Sequence, residues 1–117
     1  MYYDIQKDIK KFKNHSLPKR SKPYIRICKK LITIWDPRAS ELTGPCWIYQ
    51  GSLNYRGHGQ FSDNYKKTTS HRWMFEKLIN KISNNSILIH LCHNKSCCNP
   101  WHLKLESRSN FSKSLLR

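Results

Sequence analysis

Three residues in the last third of the chain carry the plainest chemistry. Cys92, Cys97 and His102 follow one another at five-residue steps. Thiolate and imidazole together suit Zn2+, which takes four such ligands in a tetrahedron when its role is structural. A fourth ligand is required. Cys46 is the best candidate, because it opens a strand-like run and would clamp that run to the tail. Cys98 is the rival, but it adjoins Cys97, and neighbouring side chains on an extended segment point apart. Cys28 is the outsider. The competing view makes these buried free thiols and a core histidine, since free cysteine is often buried. Three cysteines and two histidines within the polar stretch 92–102 argue against that view. Four protein ligands leave no open position on the ion, so the predicted role is structural.

Such a staple suits a chain of this size. The 117 residues are 38% hydrophobic, which promises a thin core. A domain this short buries roughly two-thirds of its unfolded surface and usually needs a metal, a disulfide or a partner. The length excludes a two-domain enzyme with a large cofactor fold. Uninterrupted apolar runs reach about five residues, against the roughly twenty of a membrane span. Lys and Arg number 22 against 7 Asp and Glu, a net charge of +15, and the excess is spread along the chain. Charge of one sign on this scale points to a polyanion. Nucleic acid is favoured over membrane, because no stretch pairs a basic face with a long apolar one. The opening MYYDIQKDIKK has no apolar signal core. An intracellular, reducing location is therefore expected, where clustered Cys and His bind metal rather than form disulfides.

The elements that must position these residues can be read in outline. Residues 4–13 have apolar positions at 5, 9 and 12 and predict a short basic helix. Residues 14–23, with two prolines, read as an irregular arm bearing Lys19, Arg20 and Lys22. Residues 24–35 are rich in β-branched and aromatic types and fit strand or helix, and 36–45 read as a loop. Segments 46–51, 57–63 and 65–71 predict a small antiparallel meander. A helix is expected over 71–80, strands over 87–92 and 102–107 around a tight loop, and a last helix over 108–116 capped by Ser107. The predicted class is α+β: residues 1–45 form a basic N-terminal arm, and 46–117 form a zinc-bound domain. Tyr49, Trp47, Trp73 and Trp101 read as core rather than as base-stacking platforms, and His93 as a loop residue.

The run IHLCHNKSCCNPWHLKLESRSN, residues 89–110, resembles the His-Cys box, the zinc-bound branch of the HNH or ββα-metal endonucleases. A His-Leu-Cys start, a Cys further on, Asn-Pro, His-Leu and a closing Asn make up the pattern. Upstream, CWIYQG, GHGQF and HRW are similar to the same family. The likeness is to slime-mould intron-encoded homing endonucleases and small phage HNH proteins, and it covers roughly residues 46–112. It implies a sheet meander followed by a zinc-stapled ββα-metal motif. It assigns His90 as general base, Asn110 as ligand of one catalytic Mg2+, and Cys46, Cys92, Cys97 and His102 as structural zinc ligands. His58 and His71 fall near the site in the family's arrangement, His71 as a packing or phosphate-contacting residue.

The implied activity is hydrolysis of a DNA phosphodiester by water that His90 activates, leaving a 5′-phosphate and a 3′-hydroxyl. A neutral imidazole can take that proton, and Mg2+ prefers oxygen ligands and keeps several waters. Double-stranded DNA is the expected partner, contacted through Arg56, Lys66, Lys67 and Arg72 on the meander. The homing enzymes place an arginine between the segments corresponding to GHGQF and HRW, whereas none lies between Phe61 and Arg72 here. They also carry a further zinc site and a dimerising tail, and no cysteine follows Cys98. A monomer that nicks and a homodimer that cuts both strands therefore stay open. The rival class is a non-catalytic, zinc-stabilised DNA-binding regulator. That reading has no use for His90 two residues before the first zinc ligand. RNA is a third possible substrate.

Overall fold

The computed structural model describes residues 5–9, 22–63 and 65–108. Its elements run in the order α1 (Ile5–Ile9), α2 (Lys22–Lys29), β1 (Leu31–Ile34), β2 (Cys46–Tyr49), β3 (Gln60–Asp63), β4 (Lys66–Thr69), α3 (Ser70–Leu78), β5 (Ser86–His90) and β6 (Leu103–Ser107). The fold is α+β, with three two-stranded antiparallel sheets pairing β1 with β2, β3 with β4 and β5 with β6. Short 3-10 turns at Pro37–Ala39 and Pro100–His102 punctuate the loops. The single meander expected over residues 46–71 is not formed. β2 turns away from β3 and takes β1 as its partner, in the register Ile34↔Cys46 and Leu31↔Tyr49.

Residues 24–35 resolve into both alternatives. α2 ends at Lys29, Lys30 turns the chain, and the β-branched run Leu31–Ile34 becomes β1. α2 buries Ile27 completely, and α1 buries Ile9, against a core that includes Trp47, Met74 and Leu78. Packing therefore does not divide at residue 46: α2 and β1, expected to belong to a separate arm, share one core with β2 and α3.

β2 has two faces, as strand geometry requires. Trp47 and Tyr49 face the main core, while Cys46 and Ile48 face a second, cysteine-lined cluster. The loop 96–98 lies along the other edge of β2. The Tyr49 amide donates to the Ser96 carbonyl at 2.9 Å, the Cys98 amide donates to the Trp47 carbonyl at 2.8 Å, and Ile48 bridges Cys97. The alternation is thereby copied onto the loop. Cys97 joins Cys46, and Cys98 goes into the main core.

α3 is the central helix. Ser70, His71, Trp73, Met74, Phe75 and Leu78 are all buried on it. Its start is drawn tightly to the preceding loop, where the Ser70 amide donates to the Gly59 carbonyl at 2.9 Å. A Cβ on Gly59 would collide with the Ser70 hydroxyl and the Tyr49 ring, so only glycine permits this approach. Trp47, Tyr49 and Trp73 are buried as expected, but Trp101 is 44% exposed, because the 3-10 turn at 100–102 aims His102 inward instead.

Candidate functional site: a Cys3His cluster beside three histidines

The hairpin β5–β6 frames the first cluster. His90 pairs with Leu103 at its loop end, and the intervening loop 91–102 carries Cys92, Cys97 and His102. With Cys46 these form a buried group whose ligand atoms all lie within 4.8 Å of one another. His102 Nδ1 is 3.5 Å from the Cys46 sulfur and 3.7 Å from the Cys97 sulfur. A tetrahedral ion with metal–sulfur bonds of about 2.3 Å and metal–nitrogen bonds of about 2.0 Å would set those separations near 3.5 Å.

Surrounding groups hold His102 and Cys46 in place. His102 Nε2 donates to the carbonyls of Thr43 and Gly44, at 3.0 Å each, which leaves Nδ1 with its lone pair facing the sulfurs. Gly44 adopts a left-handed φ of 73°, which turns this segment towards the ring. Asn99 caps the 3-10 turn and donates from its side chain to the Pro45 carbonyl at 2.8 Å. Pro100 follows at the first turn position, where its fixed φ suits the turn. The Asn94 side-chain Nδ2 donates to the Cys46 sulfur at 3.2 Å and to Asp36 at 3.0 Å. Hydrogen bonds from Arg38 and Asn94 hold the Asp36 carboxyl well below the usual carboxylate range.

The donor set itself asks for a cation. The hydrogen bond from Cys97 pulls the Cys92 thiol down to about 3, and the same bond together with burial drives Cys97 far upward. Burial also raises Cys46. Cys92 is thus favoured as a thiolate, whereas Cys46 and Cys97 carry little negative charge without a positive ion among them. The buried Cys3His cluster can hold a metal ion such as zinc. Cys98, the rival ligand, stands in the apolar core with its thiol pushed up to about 12 by burial. His93 is an exposed loop residue at φ 63°.

A second group lies beside the first. His58, His71 and His90 bring one ring nitrogen each to within 4.8 Å of the others. Ring centroids are 4.9 Å apart for His58–His71, 5.7 Å for His58–His90 and 4.6 Å for His71–His90. His58 closes a turn in which Asn54 Oδ1 accepts from its amide at 3.0 Å. His71 sits on the first turn of α3, and His90 ends β5. His90 Nε2 lies 3.0 Å from the Cys97 carbonyl, so a metal-cluster residue orients this ring. Burial lowers the pKa of all three, His71 to about 3 with help from the neighbouring His90 and His58. Asn110 lies outside the described residues.

Of the basic residues expected to meet DNA, Lys66, Lys67 and Arg72 line one groove of about 890 Å³ between the β3–β4 hairpin and α3. Arg72 also pairs with Glu76 at 3.4 Å. Arg56 is not part of this groove. It stands on the 54–58 turn against the Tyr55 ring, at 5.4 Å. Two cations escaped the sequence reading. Lys81 joins the groove from the segment after α3. Lys95 approaches the 57–58 turn closely enough to disfavour a charged His58. Neither has a local sequence signal, since both arrive through long-range packing. Lys19 and Arg20, of the expected arm, lie outside the described residues, whereas Lys22 begins α2.

The fold and the first cluster together define a small α+β protein with a buried Cys3His cluster that could hold a metal ion. No family model matches the chain, and no solved structure matches it. Two bacteriophage proteins are similar. Over 62 residues the chain is 37% identical to protein 2.8 of Escherichia phage T7, covering 51% of this chain and 41% of that protein. Over 71 residues it is 28% identical to protein 7.7 of the same phage, covering 61% and 55% respectively. The chain thus spans about half the length of the curated relatives it matches. Among the described residues, no helix is long and apolar enough to cross a membrane.

Proposed function

We propose that this protein is a Mg2+-dependent DNA endonuclease of the HNH/His-Cys box kind, with Zn2+ in the Cys3His cluster as its scaffold. The contact between His90 Nε2 and the Cys97 carbonyl, at 3.0 Å, carries the reading. A carbonyl oxygen only accepts, so Nε2 holds the proton and Nδ1 keeps a free lone pair. Burial holds the ring neutral at pH 7. A neutral imidazole with a fixed tautomer can draw a proton from an attacking water. The carbonyl that fixes it belongs to a metal-ligand residue, so an ion in the first cluster would hold the base in position.

Lys66, Lys67 and Arg72 in the groove, with Arg56 and Lys95 at the 54–58 turn, supply cations for the backbone of double-stranded DNA. Asn110 is the residue that the family resemblance assigns to Mg2+. When bound, that ion would neutralise charge on the phosphate and the leaving oxygen. The two phage relatives favour an intracellular, virus-encoded setting. A non-catalytic zinc-stabilised regulator would use the same groove but leaves the oriented His90 without a task.

The test is conversion of supercoiled plasmid, and of DNA from the protein's own genome, with Mg2+. Wild type should give open circles, and linear product would indicate paired cuts by a homodimer. His90→Ala should keep its zinc and its DNA affinity yet cut neither substrate. Equal cutting by both proteins would remove His90 as the base, and tight binding by wild type with no cutting of either DNA would favour the regulator.

A further inference from the structure

The second cluster has features that a single general base does not require. His58, His71 and His90 come from a turn, a helix and a strand, and each contributes one nitrogen to a space no wider than 4.8 Å. Packing alone does not explain the polar cost. His71 is 7% exposed, and its Nδ1 is buried with no hydrogen-bond partner. A buried polar atom without a partner is destabilising. His90 also has an unspent nitrogen, because its Nε2 is committed to the Cys97 carbonyl.

Three imidazole nitrogens at this separation form a donor set used for borderline divalent ions, with a fourth position left open. The carbonyl contact to His90 is the kind of outer contact that orients a metal-binding histidine. The donors differ in kind from those of the Cys3His cluster, which has three sulfurs and four protein ligands. Arg56 and Lys95 near His58, and Arg72 near His71, make the surroundings positive. An ion there would favour an anion, such as hydroxide or a phosphate oxygen, at its open position.

We propose that His58, His71 and His90 form a second metal site, selective for a nitrogen-preferring divalent ion of the zinc, cobalt or nickel class over Mg2+. An ion held there takes the lone pair that His90 would use as a base, so it inhibits cleavage. The inhibition rests on the endonuclease reading, whereas the metal binding does not.

The experiment titrates Co2+ into full-length protein already carrying one equivalent of zinc. A second equivalent should bind, with visible d–d absorption but no thiolate-to-cobalt charge-transfer band. His58→Gln and His71→Gln should each weaken this binding about tenfold or more, with the first zinc equivalent retained. His58 is only partly buried, so its variant serves if His71→Gln misfolds. No second equivalent at millimolar Co2+ would overturn the site. So would a second equivalent with a thiolate band, or one of unchanged affinity in the folded variants. In parallel, excess Zn2+ at constant Mg2+ should suppress plasmid nicking by wild type. Binding at the histidines with undiminished nicking would uphold the site and overturn His90 as the base.

Discussion

The Cys3His cluster and the three-histidine cluster are both groups of residues of metal-ligating type, and they meet where His90 contacts the Cys97 carbonyl of the 91–102 loop. Their completeness differs. In the first, Thr43, Gly44 and Asn94 engage the ligands, and four donors close around one point. In the second, one nitrogen is held by a carbonyl, another has no partner, and three donors leave a side open. A closed donor set favours stability, because no ligand position remains for a reactant. An open set of neutral imidazoles favours proton transfer or exchangeable binding. The contact from His90 to the Cys97 carbonyl makes the second depend on the first.

The largest effect should come from dismantling the closed cluster. Binding of structural zinc is worth about 10–16 kcal/mol in small zinc domains, as much as or more than the roughly 5–15 kcal/mol stability of a whole domain. Strong chelation, or Cys97→Ser, should therefore abolish near-UV circular dichroism and cooperative melting. A native spectrum after complete metal removal would erase the distinction between the clusters. Next is His90→Ala, expected to lower the cleavage rate about 10²–10⁴-fold while zinc content stays unchanged. Loss of zinc along with activity would mean that His90 serves the closed cluster instead.

Acidity should separate the two clusters more gently. His71 has a folded pKa of about 3 against an ordinary 6.5, so the unfolded chain binds the extra proton between those values. Stability from this residue is complete above pH 6.5 and declines as pH falls towards 3, by about 1.4 kcal/mol per pH unit. Denaturant melts of His71→Gln, on a folded sample, should show a shallower loss across that window than wild type. The smallest effect belongs to the groove. Lys67→Ala should reduce the slope of log affinity against log salt by about one unit. An unchanged slope, measured by fluorescence anisotropy on duplex DNA, would remove Lys67 from the interface.

Local order in the chain was enough to reveal some of this. The five-residue steps from Cys92 to His102 are a short-range pattern, and the loop that bears them closes between β5 and β6 as the flanking alternation suggests. The choice of Cys97 over Cys98 came from the alternation of extended chain, and both residues obey it. The helix over 70–78 was legible because its apolar positions recur at helical spacing. The pairing of β2 was not legible. β1 and residues 57–63 both offer it a β-prone partner, and α2, docked through Ile27, helps to bring the former alongside. Asp36 and Asn94, 58 positions apart, meet beside Cys46 with no local signature.

The deepest difference lies in the histidines. Ligand types, charge and helical or extended periodicity are properties of neighbours along the chain, so residue order alone could dictate them. His58, His71 and His90 are separated by 13 and 19 positions, a spacing that marks no motif in itself. Family resemblance placed them near one another, but their mutual distances, the unpartnered Nδ1 of His71 and the tautomer of His90 depend on packing between segments. The close approach at Gly59 draws in the start of α3, and the pairing of loop 96–98 with β2 sets the Cys97 carbonyl. Long-range contacts of that kind arise from excluded volume and backbone hydrogen bonding in the folded chain, and only there do the three rings converge.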